Sequence, residues 1–153
     1  MTPNDVLRRL RYALRQSDAQ VLALLARVGV ELRPEELPGF LAREDDPAFV
    51  PCPDRVLGAF LDGLILERRG PPPAAAASAP EPHLTNNVIL RKLRIALEYK
   101  ESDMLEILAL GGMTVSPSEL GALFRSPTHK HYRPCGDQLL RNFLAGLTAR
   151  LRA

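Results

Sequence analysis

Tryptophan is absent from this 153-residue chain, and aromatic residues make up only 5% of it. With so few aromatic side chains, the hydrophobic core must consist mainly of Leu, Val, Ile and Ala. Thr and Tyr, which favour strands, are also scarce, so the composition favours helices over sheet. A hydrophobic content of 46% and a charged content of 25% are typical of soluble globular proteins.

The sequence also lacks a long apolar run. No stretch approaches the roughly 18–20 apolar residues that are needed to cross a bilayer. The first five residues have neither the basic region nor the apolar region of a secretory signal. We therefore expect no association with a membrane and a cytoplasmic location.

Cysteine is rare, with two residues, which are too few for a disulfide scaffold. They stand in matching surroundings, Pro51-Cys52-Pro53-Asp54 and Pro134-Cys135-Gly136-Asp137. Cysteines at equivalent positions usually fill the same pocket of their own copy, so both are predicted to be small buried thiols. A redox pair or a pair of metal ligands is the alternative.

An internal repeat dominates what is present. Residues 90–97 repeat residues 7–14 at an offset of 83 positions, and the same offset aligns 84–153 with 1–70 without a gap. About one third of the aligned positions are identical. We predict a first helical repeat at 1–70, a Pro- and Ala-rich linker at 71–83 and a second helical repeat at 84–153. The predicted fold is all-α, with two tandem homologous units of about four helices each, packed with pseudo-symmetry.

Helix boundaries can be read from capping residues and glycines. Within each copy the first helix is predicted to begin after Thr2 or Thr85, and the last near Asp54 or Asp137. The second helix is predicted to be capped at Ser17-Asp18 or Ser102-Asp103 and to end at Gly29 or Gly112. The third has a strong start at Ser116-Pro117-Ser118-Glu119. In the first copy, Arg33 replaces the capping serine and Pro38-Gly39 interrupts the helix, so we expect a shorter or kinked element. Gly63 and Gly146 inside the last helices predict a close backbone approach.

Several motifs resemble the YehS-like family of small bacterial proteins. In the first half these are Thr2-x-Asn4 followed by residues 6–14, Glu44-Asp45-Asp46-Pro47-Ala48-Phe49 and residues 60–65. In the second half, residues 129–138 and 140–144 are similar to that family. The resemblance implies a duplicated domain of unknown function in the cytoplasm, and it carries over no catalytic residues.

A basic stripe runs along the first helix of each copy. Its members are predicted to lie on the side away from the core: Arg8, Arg9, Arg11, Arg91, Lys92 and Arg94. Two such helices, paired by a twofold, would present a basic surface to phosphates. A solvated helix face explains the same pattern.

The charge of the two copies differs in one segment. Residues 1–70 carry 10 Lys and Arg against 11 Asp and Glu, whereas residues 84–153 carry 10 against 6. The acidic run Glu44-Asp45-Asp46 corresponds to a region of the second copy that includes His129-Lys130-His131-Tyr132-Arg133. Within that region, Lys130, Tyr132 and Arg133 are candidates to bind a nucleic-acid backbone and stack a base. Docking onto the acidic run of the other copy or another chain is the equal alternative.

The sequence offers little for chemistry. His129, His131, Cys135 and Asp137 fit no established zinc spacing. There is no phosphate-binding glycine loop or nucleophile motif, and the turn between the second and third helices is too long for a DNA-reading helix-turn-helix. We predict a non-catalytic cytoplasmic binding protein without a metal or cofactor, which contacts RNA or DNA through basic helices. The alternative is a protein–protein adaptor or self-associating module. The sequence does not determine the oligomeric state.

Overall fold

The chain folds into α-helices joined by short connections, as a computed structural model describes for residues 1–71 and 83–153. These residues contain no β-strand, so the predicted all-α class is confirmed. Residues 72–82 of the predicted linker lie outside the described residues. The chain divides into two compact units, with the boundary between Leu84 and Thr85.

The first unit contains four α-helices and one 3₁₀ turn within residues 1–71. The helices are α1 (Pro3–Ala13), α2 (Asp18–Arg27), α3 (Leu37–Leu41) and α4 (Asp54–Arg69), and the 3₁₀ turn at Pro34–Glu36 directly precedes α3. Within this unit α2 packs along α4, and α1 contacts α3 and α4.

The second unit repeats this order. Its helices are α5 (Asn86–Ala96), α6 (Glu101–Leu110), α7 (Pro117–Leu123) and α8 (Asp137–Arg152). Here α6 packs along α8, and α7 contacts α6. The expected four helices in each copy are therefore confirmed.

Most predicted caps are present. Thr2, Ser17, Thr85 and Ser116 each accept a hydrogen bond through the side-chain oxygen from the backbone N–H three residues on, which satisfies a donor that the helix leaves unpaired. Gly29 and Gly112 follow α2 and α6 with φ of 83° and 91°, the left-handed conformation expected after a helix end.

One predicted cap is wrong. Helix α6 begins at Glu101, so Ser102 and Asp103 lie in its first turn and Lys100 occupies the cap position. The reason is that the Asp103 carboxylate accepts a hydrogen bond from the Lys100 backbone N–H at 2.9 Å. The Asp103 carboxylate thus makes the bond that the Gln20 side chain makes to the Ser17 N–H in the first unit, while Lys100 supplies no side-chain cap.

The third helix differs between the copies as expected. The Ser116 hydroxyl starts the seven-residue helix α7, whereas the first unit has the 3₁₀ turn and the five-residue helix α3. Arg33 provides no side-chain cap. Gly39 in α3 lies under Val50, because a Cβ at position 39 would be 2.8 Å from Val50 Cγ2.

Equivalent residues form the two cores. Among those buried in both units are Leu7 and Leu90, Leu10 and Leu93, Leu57 and Leu140, Phe60 and Phe143, and Leu64 and Leu147. Gly63 and Gly146 lie where the long last helix crosses the second helix. A Cβ at Gly63 would overlap the Leu24 carbonyl, and one at Gly146 would overlap the Ile107 carbonyl. The predicted close approach is confirmed in both units.

None of the helices within 1–71 and 83–153 is long and apolar enough to span a membrane.

Two glycines of α4 provide a matched test of this crossing. Gly63→Ala should lower the free energy of unfolding by about 1–3 kcal/mol, because the added methyl forces the helices apart. Gly58→Ala should leave the free energy of unfolding unchanged or raise it by up to about 1 kcal/mol, since nothing lies within 4 Å of the added Cβ and alanine favours the helix. Urea unfolding of both variants is the measurement, and equal effects would contradict the close crossing.

Candidate functional site

A buried asparagine near the start of the first helix organises each unit. In the first unit, Asn4 is 1% exposed. Its side-chain N–H groups donate to the carbonyls of Gly39 at 3.1 Å and Val50 at 2.9 Å, and its Oδ1 accepts from the Cys52 N–H at 2.7 Å. One side chain therefore joins α1 to α3 and to the segment that leads into α4.

Asn87 makes the same connection in the second unit. It donates to the carbonyls of Leu123 at 2.9 Å and Arg133 at 2.8 Å, and it accepts from the Cys135 N–H at 2.8 Å. The Arg133 N–H also donates to the Ala122 carbonyl at 3.1 Å. The carbonyl and the N–H of Arg133 are thus both hydrogen-bonded within the unit, and this fixes the position from which the Arg133 side chain extends.

The two cysteines lie beside these asparagines and are free buried thiols, as predicted. Burial raises the pKa of Cys52 to about 12 and that of Cys135 to about 11. Both thiols are therefore protonated near neutral pH, and a protonated thiol is a poor nucleophile and a poor metal ligand.

Two arginines of the basic stripe in the first unit are engaged within that unit. Arg8 pairs with Asp5 at 2.6 Å and donates to the Leu41 carbonyl at 3.2 Å. Arg11 pairs with Asp18 at 3.0 Å. Their side chains are half-buried and fasten α1 to the end of α3 and to the start of α2.

Arg94 has the corresponding role in the second unit. Its Nε donates to the Tyr99 carbonyl at 3.2 Å, and its guanidinium carbon lies 4.9 Å from the centre of the Phe124 ring. The other members of the stripe, Arg9, Arg91 and Lys92, are half-buried. The sequence alone did not show that these side chains contribute to packing.

A cluster of exposed basic side chains lies instead on the segment that follows α7 in the second unit. We call Arg125, His129, Lys130, His131 and Arg133 the cationic segment, and all five are exposed. Tyr132, which was predicted to stack a base, is half-buried. The imidazole centroids of His129 and His131 are 5.7 Å apart with their planes at 44°, and the His131 N–H donates to His129 Nδ1 at 3.0 Å.

The cationic segment borders a groove of about 500 Å³ against α7. Its lining residues are Ser118, Glu119, Ala122, Arg125, His131 and Arg133. Arg125 donates to the His131 carbonyl at 3.5 Å, and Arg133 pairs with Glu119 at 3.2 Å. Two arginines and a histidine therefore line one open groove.

Glu119 is the acidic member of the groove. The Ser116 N–H, which donates to it at 3.1 Å, lowers the pKa of this carboxyl together with the Ser116 hydroxyl and Arg133. Glu119 is therefore ionised at neutral pH and holds one end of the Arg133 guanidinium. Of the five N–H donors of that guanidinium, this pair accounts for one.

The first unit lacks this set of side chains at the equivalent positions. Ala42, Ala48 and Val50 stand where the second unit has Arg125, His131 and Arg133. The acidic run Glu44-Asp45-Asp46, which lies between Ala42 and Ala48, is exposed. One scaffold therefore presents acidic groups in the first copy and basic groups in the second.

Metal ligation is not suggested by the geometry. The described residues contain no cluster of three or more His, Cys, Asp or Glu that could hold a metal ion. Cys135 is buried and its Sγ–H faces the Gly136 carbonyl, whereas His129 and His131 are exposed. Within the described residues, His129, His131 and Cys135 therefore do not form a metal site.

Sequence reasoning missed Arg125 and Glu119 as members of the site, and it missed the roles of Asn4 and Asn87. Comparing the copies position by position offers a signal for Arg125, which aligns with Ala42, but none for Glu119, because Glu36 stands at the equivalent position of the first copy. For Asn4 and Asn87 the signal is that the same polar residue occupies equivalent positions of the two copies on an otherwise apolar helix face.

Comparison with known proteins gives a family and no activity. The family described as "Protein of unknown function (DUF1456)" matches residues 3–70 and again residues 86–153. The chain is 45% identical over 150 residues to "Uncharacterized protein YehS" of Escherichia coli (strain K12), which covers 98% of this chain and 96% of that relative. No solved structure matches at a significant level.

Removing the Asn87 amide tests its importance. Asn87→Ala leaves two carbonyls and one N–H of the second unit without their partner, so the free energy of unfolding should fall by at least about 2 kcal/mol. Gln138→Ala is the control, since it removes an exposed amide that bonds only to Asn142 among the contacts described, and it should change stability by less than about 0.5 kcal/mol. Urea unfolding measures both, and similar small losses would contradict the assigned role.

Proposed function

This chain belongs to the DUF1456 family of proteins of unknown function, and we propose that it is a non-catalytic protein that binds nucleic acid, RNA or DNA. The cationic segment of the second unit is the principal contact. The proposal includes a cytoplasmic location, which the two free buried thiols favour.

The observation that carries the proposal is the exposed, clustered charge of the cationic segment. Exposed Arg and Lys groups bind phosphates and release condensed counterions, which provides most of the affinity in non-specific complexes. His129 and His131 add flat rings on which bases can stack. The exposure of all five groups leaves them accessible to the phosphates and bases of a nucleic acid.

The basic helices have a smaller role in this proposal than the sequence suggests. Arg8, Arg11 and Arg94 already bond within their own units. A phosphate would have to compete with those contacts. Arg9 is the stripe member that we assign to a peripheral contact.

The test is a salt series with labelled single-stranded and duplex oligonucleotides, read by fluorescence anisotropy. We expect binding at about 50 mM salt that weakens steeply towards about 200 mM. The double variant Arg125→Ala with Arg133→Ala should lower the affinity at least tenfold at low salt. It should also reduce the slope of log K against log salt by about 0.7 for each lost phosphate contact on a single strand.

The matched control is Arg33→Ala with Arg43→Ala in the first unit. Both double variants remove two positive charges from exposed arginines, and each breaks one exposed ion pair with a glutamate, Arg133–Glu119 or Arg33–Glu36. The control should bind like the unmodified protein apart from a small, uniform effect of net charge. Equal losses in both double variants, or no binding at low salt, would refute the proposal.

A second candidate function is self-association or a protein adaptor role. It is favoured by the exposed acidic run Glu44-Asp45-Asp46, which lies in the corresponding connection of the first unit and is opposite in sign to the cationic segment. Sedimentation of the protein without nucleic acid separates the two functions. Dimers that dissociate with salt, together with no binding to oligonucleotides, would favour this second function.

A further inference from the structure

The side chains of the cationic segment are not spread evenly along a track. Arg125, His131 and Arg133 line a single groove of about 500 Å³, and Lys130 lies outside its lining. This volume is within the range of cavities that hold one small molecule, about 300–1,000 Å³. The groove therefore suits one compact anionic group better than a long run of backbone phosphates.

A phosphate monoester is the group whose chemistry fits best. It carries a charge between about −1.5 and −2 at neutral pH and three strong acceptor oxygens, whereas each diester of a strand interior carries a single charge. Guanidinium groups bind phosphate through paired N–H donors, and two of them, Arg125 and Arg133, converge here. The Glu119 carboxylate accepts a hydrogen bond from one N–H of Arg133 at 3.2 Å and so restrains one end of that guanidinium.

The remaining lining favours a nucleotide as the carrier of that phosphate. His131 lines the groove, and the centroids of the His129 and His131 rings are 5.7 Å apart. Imidazole rings are among the side chains on which nucleobases stack. A base can thus stack on the histidines while its phosphate contacts the arginines.

We propose that the groove of the second unit binds the phosphate monoester of a nucleotide through Arg125 and Arg133, with the base against His131. The inference rests on the proposed function and deepens it, because a strand would then be recognised at its phosphorylated end. The same chemistry is present in a free mononucleotide. The first unit, with Ala42, Ala48 and Val50 at the equivalent positions, lacks the site.

The experiment compares oligonucleotides of one sequence that differ only at their ends. Strands with a 5′-phosphate, a 3′-phosphate or hydroxyls at both ends are titrated into the full chain, and adenosine monophosphate and adenosine are titrated separately. Affinity is read by anisotropy for the strands. Backbone amide shifts in an NMR spectrum locate the binding of all ligands, with Arg133 and His131 as reporters.

We expect at least one end-phosphorylated strand to bind about tenfold tighter than the hydroxyl strand. That difference should vanish in Arg125→Ala with Arg133→Ala and persist in Arg33→Ala with Arg43→Ala. Adenosine monophosphate should shift the two reporters, and adenosine should do so at least tenfold more weakly. Because the substituted arginines are exposed, the folded state of each variant can be confirmed from the unchanged remainder of its spectrum.

The outcomes distinguish this inference from the proposed function. If all strands bind equally and adenosine monophosphate shifts no reporter, the inference is overturned while nucleic-acid binding stands. If adenosine monophosphate binds at the groove and no strand binds, the monoester site is supported with a free nucleotide as its source, and the proposed function falls. If neither strands nor nucleotides bind, both are wrong.

Discussion

Each unit depends on one buried amide that joins three parts of the chain. Asn4 and Asn87 each use both side-chain N–H groups and the oxygen, and all three partners are backbone groups. An apolar side chain at this position would fill the space and remove all three hydrogen bonds. The amide therefore fixes the position of the segment before the last helix relative to the first helix. The apolar core cannot fix this position alone, because hydrophobic contacts are non-directional.

Because backbone hydrogen bonds hold the segment before the last helix, its exposed side chains can differ between the two copies. The backbone before α4 and that before α8 are held by the same amide and by equivalent bonds, Val50 to Gly39 and Arg133 to Ala122. The outward side chains then change without disturbing the core. The first copy carries an acidic run there and the second the cationic segment, so duplication has separated the part that stabilises the unit from the part that we propose to bind nucleic acid.

The features that sequence reasoning predicted are those with a local cause. Thr2, Ser17 and Ser116 cap helices within three residues of themselves, and the glycine after a helix needs only its own φ. Lys100 shows the limit of such reasoning, because the helix begins there without a side-chain cap, and Asp103 three residues on accepts the hydrogen bond of the Lys100 N–H. The bonds of Asn4 reach residues 35 to 48 positions away, and the groove unites Arg125 with Arg133 across a turn. Such pairings depend on the tertiary fold and leave only a repeated residue type in the sequence.

Amide hydrogen exchange at Cys52 and Cys135 tests the role of the buried asparagines most directly. Both N–H groups lie outside helices, and their described acceptor is the asparagine Oδ1. If this bond is part of the cooperative structure of each unit, the two amides should exchange as slowly as those of Leu61 and Leu144 in the last helices, through unfolding of the unit. Exchange as fast as that of the exposed Lys130 amide would contradict it and show that the segments are not held by these asparagines.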